Sequence, residues 1–398
     1  MRRRADLLLL SAALTLFVAF AVAYSRLTPL GQTPDESAHL NNVVQLALHL
    51  QLPGLSVREH KQPPLFYLLG AGVYKVTQDP LLVRLASLAC GLGAAITIFV
   101  VARRLLPGRR MVPAAAAALF ALLPEAQYLS AAVNNESSAW LAGALVLLMI
   151  VEAIRRDTVG LRFLALCGVV SGVALLAKET VWVLVLVLVV VLLVRHARRS
   201  RLLGAVAYVV PTVAVAGWWF VRNLLAFHAL TPPLLQVSSR PQYLRSFSQL
   251  RGFLAATFDS TIGSYGDGMH LKPITLLGAR PMPSLMAAAL IGAAALVFLV
   301  ALLRYARAWD RPRRVMAAVL ALCVALVLAQ YVFNSVTVDL QPQARYLIVA
   351  AALFTTAFAW AAARLFTLRI LTWLSGVLVM LAIVLDVSGL ITASRLPG

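Results

Sequence analysis

Apolar runs of about twenty residues recur along the whole chain, separated by short arginine-rich stretches and by two longer polar ones. A helix needs roughly 20 apolar residues to cross a hydrocarbon core about 30 Å thick. The runs fall at about 7–27, 82–102, 112–131, 138–154, 161–177, 180–195, 202–221, 284–303, 315–333, 346–363 and 370–391, and predict about eleven spans. The expected fold class is therefore all-α, a polytopic transmembrane bundle. No repeat or heptad divides the chain, so residues 1–398 read as one membrane domain.

The two longer polar stretches are 28–81 and 222–283. In the first, Thr33-Pro34-Asp35-Glu36 has the form of a helix start, with Thr33 as N-cap, Pro34 at the first position and Glu36 closing a capping box. Leu40, Val43, Val44, Ala47 and Leu48 then recur at helical spacing, predicting an interfacial helix with that stripe turned inward. Pro63-Pro64 ends whatever precedes it, and Leu65-Phe66-Tyr67 re-enters the interface.

Composition agrees: 61% of the 398 residues are hydrophobic and 13% charged, with a mean hydropathy of +0.87. A net charge of +20 would suggest a nucleic-acid partner in a soluble chain. Here 21 of the 35 Lys and Arg residues lie at the N-terminus and in five short segments that share one side if the spans alternate. By the positive-inside rule that side is cytoplasmic, and such clusters also meet anionic lipid. The N-terminus is then cytoplasmic and both long loops face outward. The run after Met1-Arg2-Arg3-Arg4 is longer than a leader's apolar core, so it reads as a retained span, with cleavage near Ala21-Val22-Ala23 as the alternative. Cys90, Cys167 and Cys323 lie in apolar runs and read as small buried hydrophobes.

Candidate chemistry gathers in the first loop. Only 15 acids occur in the chain, yet Asp35 and Glu36 are adjacent, with His39 one turn away. The plain alternative is that both acids serve the helix cap and dipole; Glu36 alone meets that need, which leaves Asp35 spare. Arg58-Glu59-His60-Lys61 adds positive charge, and Lys61 suits a lipid-borne phosphate or simply snorkels. Lys178-Glu179 reads most simply as a neighbouring ion pair at a helix junction, Asn134-Asn135-Glu136 as a turn or a sugar-binding pair of amides, and Arg222-Asn223 as a boundary marker. Asp259, Tyr265, Asp267, His270 and Lys272 cluster among glycines in the second loop, as a gating loop or a polar connector. A metal held by Asp35, Glu36, His39 and His60 lacks supporting Cys/His ligand spacing, so no metal and no cofactor is expected. No phosphate-binding or dinucleotide fingerprint is present.

The acidic pair in PDESAH, the downstream Gln62-Pro63-Pro64-Leu65-Phe66-Tyr67, Asn134-Asn135-Glu136, Ala177-Lys178-Glu179-Thr180, Trp218-Trp219-Phe220-Val221-Arg222-Asn223 and Gln343-Ala344-Arg345-Tyr346 occur in order. Together they resemble the GT-C membrane glycosyltransferases, on the branch with protein O-mannosyltransferases and lipid A aminoarabinose transferase. The resemblance implies transfer of a sugar from a polyprenyl-phosphate donor to an acceptor hydroxyl on a glycan, lipid or protein. Transfer would occur at the outer face of the cytoplasmic membrane, with inversion at the anomeric carbon. It implies Asp35 as base, with Glu36 beside it in the catalytic pair. Inverting displacement needs one carboxylate opposite the leaving group, and cations for the departing phosphate. Arg345, then Lys61 and Arg222, are the candidates for that phosphate. His39, His60, Asn134, Asn135, Lys178 and Tyr346 are the candidates for orienting substrate. A flippase for a polyprenyl-linked glycan is the alternative from another class and calls for charge at mid-depth in the spans; a silent scaffold of the same fold is a third.

Overall fold

The structure, a computed structural model, describes residues 2–54, 59–109, 111–196, 201–231, 246–265, 272–273, 275–277, 280–281, 284–337 and 342–396. Arg58, Asp267 and His270 lie outside the described residues, and Lys272 is described in its backbone alone.

The eleven predicted segments are all helical. They are α1 (Arg2–Leu27), α4 (Arg84–Leu105), the pair α5 (Met111–Ala121) and α6 (Pro124–Ser130), α7 (Glu136–Arg155), α8 (Leu161–Ala177), α9 (Trp182–Arg195), α10 (Arg201–Phe227), α12 (Ser284–Tyr305), α13 (Arg311–Thr337), α14 (Ala351–Leu365) and α15 (Leu368–Ala393). Among the described residues, eight helices are long and apolar enough to cross a membrane, or nine if the bent pair counts as one. The expected eleven is not reached on that measure, because α8 has 17 residues and α9 has 14. The 63° bend between α5 and α6 falls at Pro124, whose ring cannot continue a helix. The loops add α2 (Glu36–His49), α3 (Leu65–Thr77) and α11 (Phe247–Ile262), and four two-residue strands form two small antiparallel pairs after α11.

Small residues bring the helices close. Gly168 and Gly172 of α8 face Tyr208, Thr212 and Val215 of α10 so tightly that a Cβ at Gly168 would strike the Tyr208 carbonyl. Backbones meet at such small-residue faces in membranes, where burial of apolar surface cannot drive helices together. α7 runs through the middle of the bundle with its buried face against α4, α8 and α9. Its Gly143 lies under the segment leading into α14; a Cβ there would sit 2.6 Å from Val349 Cγ2 and 2.7 Å from the Val349 carbonyl oxygen. Gly143→Val is accordingly expected to lower stability by about 1–3 kcal/mol through overpacking, read as a drop in melting temperature in detergent.

The first loop is not capped as its sequence suggests. α2 begins at Glu36, its N-cap is Asp35, and no side chain caps it. The hydroxyl of Thr33 is buried without a hydrogen-bond partner. Glu36 cannot close a capping box because its carboxylate is consumed elsewhere, as described below. The inward face of α2 is also rotated. His39, Asn42, Val43 and Leu46 are buried, while Leu48 of the expected stripe is exposed. Polar residues turn inward because they meet partners on α3 and in the loop before it.

The described part of the second loop after α10, namely α11 and Tyr265, packs into the bundle. Tyr265 is fully buried, its hydroxyl 2.9 Å from that of Tyr24 on α1, and its ring packs on Tyr128 of α6. Tyr128 in turn donates to the Gln32 carbonyl of the first loop at 3.3 Å. On α11, Ser260 Oγ accepts the Ala344 amide at 2.7 Å, fixing the turn that carries Arg345.

Candidate active site

Four separate stretches of chain converge at one end of the bundle: residue 35, the α6–α7 turn at 134–136, the α8–α9 junction at 178, and the short helical turn 344–346. Asp35 has φ 59°, in the left-handed region. Asp and Asn are among the few side chains that tolerate it, at some cost, and such strain persists where surrounding structure enforces it.

The enforcement comes from the next residue. Glu36 is wholly buried, and its two oxygens accept from Arg84 Nε and Nη2 at 2.8 Å each, from the Val133 amide at 2.8 Å and from the Gly31 amide at 2.9 Å. Arg84, itself buried, also donates to the carbonyls of Ser25, Thr28 and Pro29. One ion pair therefore ties the end of α1, the Gly31 turn, the start of α2, the start of α4 and the α6–α7 turn. Gly31 stands at φ 85° inside this knot, which a side chain would strain. The expectation of a second working acid at Glu36 meets a carboxylate with every strong acceptor direction filled.

Asp35 Oδ2 accepts from Arg345 Nη2 at 3.2 Å. The same guanidinium donates to the Tyr346 hydroxyl at 3.0 Å, and its Nε lies 3.4 Å from Glu136 Oε1, an ion pair without hydrogen-bond geometry. Lys178 Nζ closes the set, 2.6 Å from Glu136 Oε1 and 3.1 Å from Asn135 Oδ1, with Nζ 5.1 Å from the centroid of the Tyr346 ring. The neighbouring Lys178–Glu179 pair is thus corrected: Lys178 turns to Glu136, across 42 positions of sequence. Burial pulls the Lys178 ammonium below its ordinary range, opposed by the Glu136 carboxylate. Burial raises the Glu179 carboxyl, opposed by Lys61 and Lys178.

Further out, Asn135 Nδ2 donates to Gln62 Oε1 at 2.9 Å, and Gln62 Nε2 to Glu59 Oε2 at 2.7 Å. Asn134 Nδ2 donates to the Pro34 carbonyl at 3.0 Å, and its Oδ1 accepts the Glu136 amide at 2.8 Å. The two amides therefore set the backbone on either side of the acids, Asn134 beside Asp35 and Asn135 beside Lys178.

His39 lies next to this centre but does not bond either acid through its ring. Its Nδ1 is 2.9 Å from the Tyr67 hydroxyl, between the rings of Phe66 and Tyr67. Burial lowers its pKa from 6.5, against the pull of Glu59 and Asp35. A depressed folded value makes His39 a source of stability that is fully present above pH 6.5 and is lost as pH falls towards the lowered value. Melting temperatures measured down a pH series are expected to fall below that point in the wild type and to fall less steeply in His39→Gln.

Arg222 and His60 belong to a neighbouring patch. Arg222 Nη2 donates to the Pro53 carbonyl at 2.8 Å and its guanidinium stacks 4.7 Å from the Phe227 ring, which His60 also meets edge-on. Arg222 thus pins the first loop to α10 rather than meeting Arg345. Lys61 is half-buried and forms no ion pair among the described residues. Among those residues no three His, Cys, Asp or Glu side chains converge to hold a metal.

In the sequence Glu136, Gln62, Glu59 and Tyr67 stand out only as members of motifs, without a role of their own, and Arg84 does not stand out at all. The signal for Glu136 was present, an acid at an apolar span's first residue. Arg84 has the sequence signature of any span-end arginine.

The dolichyl-phosphate-mannose-protein mannosyltransferase family model matches residues 61–221. No curated protein matches in sequence. Among solved structures, ArnT from Cupriavidus metallidurans in the apo state aligns with TM-score 0.54 at 19% identity, covering 94% of this chain and 64% of that one. ArnT from the same organism bound to undecaprenyl phosphate aligns with TM-score 0.55, at 19% identity and 93% and 63% coverage. The chain thus spans under two thirds of the length of the ArnT structures it matches. The fold of the chain is therefore similar to that of the ArnT structures, and its residues 61–221 match the mannosyltransferase family model.

Proposed function

We propose that the chain transfers a sugar from a polyprenyl-phosphate donor to an acceptor hydroxyl, with inversion, at the extracytoplasmic end of the bundle. The observation that carries this reading is the contrast among the three acids of the site. The Asp35 side chain keeps 20% of its surface accessible, against 0% for Glu36 and 2% for Glu136. Asp35 is thus the acid an incoming hydroxyl can reach. The match to the mannosyltransferase model and the likeness to an ArnT solved with undecaprenyl phosphate support a donor carried on a lipid phosphate.

In this reading the Asp35 carboxylate takes the acceptor's proton as the acceptor oxygen bonds the anomeric carbon. The bond from that carbon to the phosphate oxygen breaks, and polyprenyl phosphate leaves with the electron pair. Arg345 is already held by Asp35, Glu136 and Tyr346, so its part is to orient Asp35. The phosphate falls to Lys61, the nearby cation without an ion pair among the described residues. Protonation of Asp35 late in the step loosens its hold on Arg345 Nη2, so the positive charge of the guanidinium is less compensated as negative charge grows on the phosphate. Asn134, Asn135 and Lys178 hold the turn that carries Glu136, and His39 and Tyr346 line the centre.

The test supplies purified protein with polyprenyl-phosphate donors carrying radiolabelled sugars, together with membrane extract as acceptor. Release of free polyprenyl phosphate with label moving to the acceptor is expected. Transbilayer movement of intact labelled lipid without such release would establish the flippase instead. The position of charge favours transfer: Asp35, Glu136, Lys178 and Arg345 gather at helix ends, and the buried Asp386 of α15 lies two turns inside its helix, apart from them.

A further inference from the structure

α14 and the turns before it form one apolar span, Ala344–Leu365, with Arg345 at its start and Arg364 at its finish. Arg364 therefore lies at the end of the bundle remote from the acidic site. There its guanidinium carbon sits 5.3 Å from the centre of the Tyr305 ring, and that of Arg304 lies 6.0 Å from the same ring. The Tyr305 hydroxyl donates to the Arg364 carbonyl at 3.0 Å, which fixes the ring between the ends of α12 and α14. Trp309 packs edge-on against Trp360 just inside, at 5.8 Å, so the ledge under these cations is aromatic.

Six other arginines at this end are matched. Arg104 and Arg156 meet Glu152 at 3.0 and 3.6 Å, Arg155 and Arg195 donate to backbone carbonyls, Arg313 meets Asp310 at 3.8 Å, and Arg314 donates to the Trp309 carbonyl at 2.9 Å. Arg304 and Arg364 have no carboxylate within ion-pair distance among the described residues. Two like charges drawn to one ring repel each other, and the face of a phenol offsets only part of that.

We infer that Arg304 and Arg364, seated on Tyr305, form a binding site for the phosphate headgroup of an anionic phospholipid. A phosphodiester brings the negative charge the pair lacks, and the guanidinium fork suits its oxygens. The exposed apolar flanks of α12, such as Leu299, Val300 and Leu303, leave room for the acyl chains beside it. The site is independent of the transfer chemistry and of which sugar is moved.

Native mass spectrometry of the detergent-purified chain, titrated with phosphatidylglycerol or phosphatidylcholine, tests this. The wild type is expected to retain phosphatidylglycerol selectively. Each arginine near a membrane surface contributes about 1 kcal/mol to anionic-lipid attraction, so R304Q/R364Q is expected to bind about 30-fold more weakly. R313Q/R314Q, with the same change in net charge on arginines already matched, is expected to bind as the wild type does. Tyr305→Leu keeps both charges but removes their seat, and is expected to weaken retention as well. Equal binding of the two lipids, equal loss in both double variants, or displacement of the lipid by equimolar inorganic phosphate would each overturn the site.

Discussion

Asp35→Asn is expected to reduce sugar transfer by about 10³-fold, the usual contribution of a positioned general base, while the protein still folds, with a small fall in melting temperature because Arg345 keeps only one of its two carboxylates. The variant is close to isosteric. Asn tolerates the left-handed φ of 59° that position 35 adopts, and its amide oxygen can still accept from Arg345 Nη2. What it loses is the capacity to take a proton. Donor binding is expected to persist in the variant, since Lys61 is untouched. Transfer rate and donor affinity, measured separately on purified protein, check both halves. Undiminished transfer in Asp35→Asn would remove Asp35 from the role of base. Asp35→Ala is a poorer probe, because the left-handed conformation costs it about 1–2 kcal/mol and the loss would mix folding with chemistry.

The largest effect on folding is expected at Arg84. Arg84→Met leaves the Glu36 carboxylate buried and stripped of its two charge-assisted bonds, and it also orphans three carbonyls of the α1 end. Breaking one side of a buried pair costs about 3–5 kcal/mol. The prediction is a large fall in melting temperature and in yield from the membrane. Glu36→Gln/Arg84→Met removes the uncompensated charge and is expected to recover part of that loss, but not all, because the carbonyls of Ser25, Thr28 and Pro29 remain unsatisfied. A double variant as unstable as Arg84→Met alone would show that the carbonyl contacts, not the ion pair, hold the knot. Either variant is also expected to slow transfer, since the pair sets the backbone on which Asp35 stands.

The apolar runs gave away the helices, because a bilayer leaves the backbone little alternative, and every predicted segment has its helix. The number that cross the membrane was less legible: α8 and α9 are apolar but short, and Pro124 breaks one span in two. At the site, Asp35 stood out by the scarcity of acids and Arg345 by its place at a span end. Their pairing, 310 positions apart, was expected only through a family resemblance. Local rules misled in two places. Thr33 and Glu36 have the spacing of a capping box, but an arginine 48 positions away claims the carboxylate at a strength no cap matches. Lys178 and Glu179 are adjacent, yet Lys178 stands in extended backbone between α8 and the following turn, and its ammonium finds Glu136 instead. Arg84 was unreadable for the same reason: its partner is set by where the chain returns, not by what lies beside it.

The interior of the site is formally neutral, Asp35 and Glu136 against Arg345 and Lys178, in surroundings that solvate no surplus. Any lone substitution among the four that alters charge leaves an ion uncompensated, at least cost at Asp35, which keeps 20% of its surface accessible, and at most at Glu136, at 2%. The quartet is therefore expected to tolerate change only by coordinated replacement of opposite charges.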